Sequence, residues 1–132
     1  MKIALGTVQW GLEYGISNKK GIPSNDELDQ ILSLASVSGI NLLDTASSYG
    51  NAEMRIGNQS GGKFKIVTKI DSIRNGYSIE QQLKISLDNL KLTSVYGCLF
   101  HNVIELLHDT EKWEQILIQK EEGLIKKIGV SL

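Results

Sequence analysis

Short apolar runs alternate with longer stretches of helical spacing from one end of this 132-residue chain to the other. "KIALGTV" (2–8), "INLLD" (40–44), "KFKIVTKI" (63–70), "SVYGCLFH" (94–101) and "KKIGVSL" (126–132) read as five strands. Between them lie helical patterns. Ser24 and Glu27 form a capping box ahead of Leu28, Ile31, Leu32 and Ala35, and Gly39 is placed to end that helix. A short helix is expected around Asn51–Asn58. Ser78 and Gln81 make a second capping box before Ile79, Leu83, Leu87 and Leu90. Asp109 or Thr110 can cap a helix carrying Trp113, Ile116 and Leu117, which Gly123 would close.

Strand–helix alternation with short connections dictates a parallel sheet and right-handed crossovers. The later strands are dense in Ile, Leu and Val, as strands covered on both faces are. No linker or low-complexity segment divides the chain, so residues 1–132 read as a single domain. Two architectures remain. A small open doubly wound sheet suits the length; a partial (βα)8 barrel, whose complete form runs to about 250 residues, is the other.

Composition narrows the function classes. With 41% apolar and 22% charged residues and a formal net charge of −1, the chain reads as soluble and globular. No basic patch interleaved with aromatics suggests a nucleic-acid partner, and no apolar run reaches the roughly 20 residues of a membrane span. The single cysteine, Cys98, rules out an internal disulfide and fits a reducing compartment. The first residues do not look like a secretion signal, so the expected location is cytoplasmic. No Cys or His cluster has metal-ligand spacing, and neither a Walker loop nor a G-x-G-x-x-G follows a strand.

Ligands of parallel sheets meet the carboxyl ends of the strands. Asp44 closes the second run, Lys69 lies near the end of the third, His101 closes the fourth and Ser131 lies near the end of the fifth; Tyr49 follows Asp44 on a loop. Each has an ordinary reading taken alone. An Asp after a strand can be a turn residue, a Lys can snorkel, a Tyr can pack under a loop, and a His can be a satisfied core residue. Their common placement, each from a different strand end, is what points to a site. Trp10 and Trp113 read as core or pocket wall, and His108 as a surface or cap residue.

"LGTVQWGLEYGI", "GINLLDTASSYGNAEMRIG", "IVTKI", "LFHN" and "KKIGVS" resemble, in order and spacing, the amino-terminal half of the aldo/keto reductases. "DTA-x-x-YG-x-x-E-x-x-x-G" is the most specific part. The resemblance implies a (βα)8 barrel and reduction of an aldehyde, ketone or sugar-like carbonyl with NADPH or NADH. It implies a catalytic tetrad of Asp44, Tyr49, Lys69 and His101. Tyr49 would give its proton to the carbonyl oxygen. A free phenol titrates near about 10, so Lys69 would stabilise the phenolate and Asp44 would orient Lys69. His101 would hydrogen-bond the substrate oxygen. Gly6 and Thr7 match positions beside the nicotinamide ribose, and Ser131 a position that contacts the carboxamide. Glu53 and Gly57 match positions that brace the loop of Tyr49.

The match departs at Leu132, where many members have Asn. A chain of this length also supplies only five of eight strands, so the resemblance implies two open sheet edges and an uncovered apolar inner face. Such a chain either is unstable alone, or self-associates or pairs with a partner chain through its sheet edges, or curls into a smaller sheet. The alternatives are a non-catalytic fragment, one half of a split enzyme, and a small open-sheet binding domain.

Overall fold

The computed structural model describes residues 3–71, 76–108 and 111–132, apart from the side chains at 105, 106 and 108. Five strands form one parallel sheet: β1 (Leu5–Gly6), β2 (Leu42–Asp44), β3 (Lys65–Ile70), β4 (Val95–Phe100) and β5 (Ile125–Val130). Their spatial order is β1-β2-β3-β4-β5, the same as their order in sequence. A doubly wound sheet reverses direction at a switch point and puts non-consecutive strands side by side. This sheet has no such reversal, so the doubly wound alternative is eliminated and the winding is that of a βα barrel.

The connections follow the capping signals. Helix α1 (Asn25–Val37) starts at Ser24 with both bonds of the capping box in place, and α3 (Ile79–Leu90) starts the same way at Ser78. Gly39 takes a left-handed φ of 76° just past α1, and Gly123 one of 82° just past the fourth connection. Helix α2 (Ala52–Gln59) is short, as expected. The fourth connection holds two helices, α4 (Val103–His108) and α5 (Glu111–Glu121), where one was expected. Asp109, Thr110 and the His108 side chain lie outside the described residues. Lys91, a residue with a Cβ, ends α3 at φ 55°.

The core lies between sheet and helices. Leu28, Leu32 and Ala35 of α1, Ile56 of α2, and Leu83, Leu87 and Leu90 of α3 are buried against Leu43, Ile66, Ile70, Cys98 and Phe100. Trp113 packs on Phe100 with ring centroids 6.3 Å apart, and Trp10 is buried, so both indoles serve packing. Gly57 lets α2 lie directly on α3: a Cβ there would fall 2.2 Å from the Asn89 carbonyl oxygen.

The inner face is less bare than expected. Val67 and Leu99 are half-buried because each leans over a glycine of the next strand. A Cβ at Gly97 would meet Val67 Cγ2 at 3.1 Å, and one at Gly129 would meet Leu99 Cδ2 at 3.1 Å. Among the described residues β1 and β5 do not pair, so each edge strand has one neighbour there. Among the described residues no helix is long and apolar enough to cross a membrane.

Candidate active site at the carboxyl rim of the sheet

Parallel register brings the rim residues level. Asp44 pairs with Val67 and Ile70 with Phe100, so the ends of β2, β3 and β4 lie side by side. The ladder extends past the strands: Ser47 N–H donates to Lys69 O at 3.0 Å, and His101 N–H donates to Ile70 O at 2.9 Å. Side chains alternate along β3. Ile66, Thr68 and Ile70 turn toward the helices, and Lys69 turns to the inner face.

Lys69 is buried, yet its ammonium is satisfied. Nζ donates to Asp44 Oδ1 in a short contact, and to the Thr45 carbonyl oxygen at 3.1 Å. A buried cation needs such partners, because desolvation otherwise disfavours the charge. The same Nζ lies 5.2 Å from the centroid of the Tyr49 ring. Tyr49 in turn meets His101 edge-on, with ring centroids 5.8 Å apart and planes at 79°. Asp44, Lys69, Tyr49 and His101 are therefore one cluster.

The remaining expected residues stand on the same rim. Gly6 ends β1, and a Cβ there would meet nothing within 4 Å, which leaves open space beside it. Thr7 is fully buried and its Oγ1 donates to the Asp44 carbonyl oxygen at 3.0 Å, so that hydroxyl braces Asp44. Ser131 N–H donates to Phe100 O at 2.8 Å, one residue before His101. Between Asp44 and Tyr49, Thr45 Oγ1 and Ser47 Oγ are buried with no hydrogen-bond partner among the described residues. The open space at Gly6 lies on the same rim as the Tyr–Lys–His cluster. A concavity of about 540 Å³ lies elsewhere, lined by Gln9, Trp10, Asn18, Lys20 and Glu27 among others, and none of the four clustered side chains borders it.

Three supports escaped the sequence reading. Arg55 of α2 donates to the Trp10 carbonyl oxygen at 2.6 Å and, from its other terminal nitrogen, to Pro23 O at 2.7 Å and Asn25 Oδ1 at 3.0 Å. It thus ties together both ends of the loop after β1. Tyr49's own loop is held by close backbone approach: a Cβ at Gly11 would fall 1.9 Å from the Tyr49 carbonyl oxygen. Finally, Ser48 Oγ lies 3.1 Å from His101 Nδ1, and Asp71 Oδ1 lies 3.6 Å from the same nitrogen. The period of two places Asp71 on the face of Lys69, a signal legible in "KID". Glu53 is buried and accepts from Thr68 Oγ1 at 2.6 Å, which locks the first turn of α2 to β3 next to Lys69.

Comparison with known proteins agrees with this geometry. The sequence pattern of the Aldo/keto reductase family matches residues 2–132. Aldo-keto reductases of Mycobacterium avium and Mycolicibacterium paratuberculosis are each 31% identical over 116 residues, covering 82% of this chain and 40% of their own. A solved Pseudomonas aeruginosa protein described as an aldo-keto reductase superposes with a TM-score of 0.82 at 31% identity, over 97% of this chain and 54% of that one. The Bombyx mori aldo-keto reductase, solved in complex with NADP, superposes with a TM-score of 0.69 at 25% identity, over 97% of this chain and 45% of its own. The chain thus spans about half the length, or less, of these relatives. Strand order, rim cluster and matched sequence lead to one conclusion: the chain belongs to the aldo/keto reductase family.

Proposed function

We propose that this chain carries the proton-transfer half of an NAD(P)H-dependent reductase acting on an aldehyde, ketone or sugar-like carbonyl. The observation that carries the reading is the Lys69–Asp44 pair set 5.2 Å from the Tyr49 ring, with His101 across from it. NADP is bound by the Bombyx mori relative, and the same class of cofactor is carried here. Gly6 and Ser131 would border its nicotinamide, while Thr7 holds the Asp44 main chain. When bound, the cofactor supplies the hydride that the carbonyl carbon accepts.

The residues of this chain supply the rest. The Tyr49 hydroxyl donates its proton to the carbonyl oxygen. The Lys69 ammonium stands 5.2 Å from the centre of that ring, so the proton leaves the hydroxyl with a cation close by. Asp44 and the Thr45 carbonyl oxygen hold the Lys69 ammonium in place, and Glu53 with Thr68 fixes the strand that carries it. His101 orients the oxygen, so proton donor and acceptor meet in a near-attack geometry.

The test is NADPH titration followed by nucleotide fluorescence, then aldehyde-dependent NADPH oxidation. Tyr49→Phe removes one oxygen from a half-buried ring. It should leave nucleotide binding in place and lower turnover by at least about 100-fold. Equal rates in wild type and variant would remove Tyr49 from the chemistry. A second reading, a half-barrel active only once strands of another polypeptide join it, rests on the unpaired edges of β1 and β5. Turnover that rises more steeply than protein concentration would favour it.

A further inference from the structure

We propose that Arg55 is a positioning residue for Tyr49: its guanidinium closes a circuit of contacts that fixes where the phenol stands beside Lys69 and His101. The use of that placement rests on the reductase reading; the circuit itself does not. Arg55 falls among the three variable residues between Glu53 and Gly57 of the DTA-x-x-YG-x-x-E-x-x-x-G signature, so the motif does not specify it.

The circuit runs through named atoms. Tyr49 O accepts from Ala52 N–H at 3.1 Å, at the start of α2. Arg55 leaves the same helix, and its Nη1 donates to Trp10 O at 2.6 Å. The next residue, Gly11, presses back on the Tyr49 loop: a Cβ there would fall 1.9 Å from Tyr49 O and 2.7 Å from Ala52 N. Gly50 meets it from the other side. At the left-handed φ of 57° that Gly50 adopts, a Cβ would fall 2.3 Å from Gly11 O. Backbone meets backbone here with no side chain between, so a shift of residues 10–11 passes directly to residues 49–50.

Local capping does not fix this loop. Helices α1 and α3 start on capping boxes, whereas α2 starts at Asn51 with no side-chain cap among the described residues. Arg55 Nη2 reaches Pro23 O at 2.7 Å and Asn25 Oδ1 at 3.0 Å, so both ends of the loop after β1 hang on one planar group. Bonds from a charged donor are roughly twice as strong as neutral ones, and a guanidinium fork reaches separate acceptors. Helix α2 has further anchors of its own. Gln59 Nε2 donates to Asn25 O at 2.8 Å and Asp29 Oδ1 at 3.1 Å, Glu53 accepts from Thr68 Oγ1, and Gly57 lies on α3. Losing Arg55 therefore frees the Trp10–Gly11 wall while α2 stays docked.

Tyr49 then loses its backing on that side. Its ring meets His101 with centroids 5.8 Å apart and lies 5.2 Å from Lys69 Nζ. Proton transfer needs donor and acceptor within hydrogen-bond reach. Arg55→Ala should lower kcat by about 100-fold, the cost of a displacement near about 1 Å, with KM and NADPH affinity little changed.

The deciding measurement is the through-space proton contact between aromatic rings in the 132-residue chain. Two contacts are compared: Tyr49–His101 at the rim, and Phe100–Trp113 in the core, whose centroids lie 6.3 Å apart. Tyr49 signals are identified by their loss in Tyr49→Phe. Wild type should show both contacts, and Arg55→Ala should lose the first and keep the second. Retention of both in Arg55→Ala overturns the proposal, as does a wild type without the Tyr49–His101 contact. Loss of both in Arg55→Ala passes the decision to Arg55→Lys, which keeps the charge without the fork. There the rim contact should weaken and the core contact stay, and any other pattern overturns the proposal. The readout needs no turnover. A chain that reduces no carbonyl but shows this selective loss forfeits the reductase reading and keeps the circuit; an active chain whose rim contact ignores Arg55 does the reverse.

Discussion

Single side chains at the rim do two kinds of work, and the sequence discloses them unequally. Asp44, Tyr49, Lys69 and His101 are legible because strand periodicity fixes where each run ends and what stands there. Arg55 is not, because its acceptors at Trp10 and Pro23 are 45 and 32 residues away and are main-chain atoms that any sequence would supply. Its role predicts a specific weakness. A lysine carries the charge but not the planar fork that reaches separate acceptors. Arg55→Lys should cost about 1–3 kcal/mol in urea unfolding. Cys98 makes a prediction about pH. Burial first, and then the negative charge of Glu53, push its thiol up to about 12. A thiol raised on folding contributes its full share of stability below the unfolded value near about 8.5. That share is lost as pH climbs toward about 12. Native protein at pH 8 should therefore resist alkylation at Cys98, and denatured protein should react at once.

Among the elements, the helices were the clearest in sequence and the short strands the least. Two Ser-x-x-Glu/Gln boxes locate the starts of α1 and α3 to the residue, because a capping box is a local device. Of the apolar run at 2–8, the described residues place only Leu5–Gly6 in strand β1, since an edge strand has one neighbour and β2 offers only a short ladder. Helix α4 was missed because "VIELLH" is too short to show a helical period. Lys91 at φ 55° was missed as well, because helix ends favour glycine there and nothing local announces an exception. Packing between elements is tightest at Gly57, where the obstacles to a Cβ are backbone atoms of Asn89 and Leu90. Backbone cannot swing aside as a side chain can. Gly57→Ala should cost roughly 1–3 kcal/mol or more, visible as a lower denaturation midpoint, with the Tyr49 loop disturbed through α2.

For the molecule as a whole, the sequence left two architectures open, and strand order decided between them. Length pointed toward an open doubly wound sheet and the rim residues toward a barrel; no local pattern encodes which strand lies beside which. The observed order also grades stability across the sheet. Strands β2, β3 and β4 have neighbours on both sides, and β1 and β5 have one each. Hydrogen exchange should find the slowest amides in β3 and β4, with β1 exchanging first.

That same order has a bearing on biosynthesis. Each strand from β2 to β5 lies against the one translated immediately before it, so each newly emerged βα unit meets a docking edge already outside the ribosome. Assembly can then proceed stave by stave along β1 to β5, and the rim cluster from Asp44 to His101 can be complete before β5 leaves the exit tunnel.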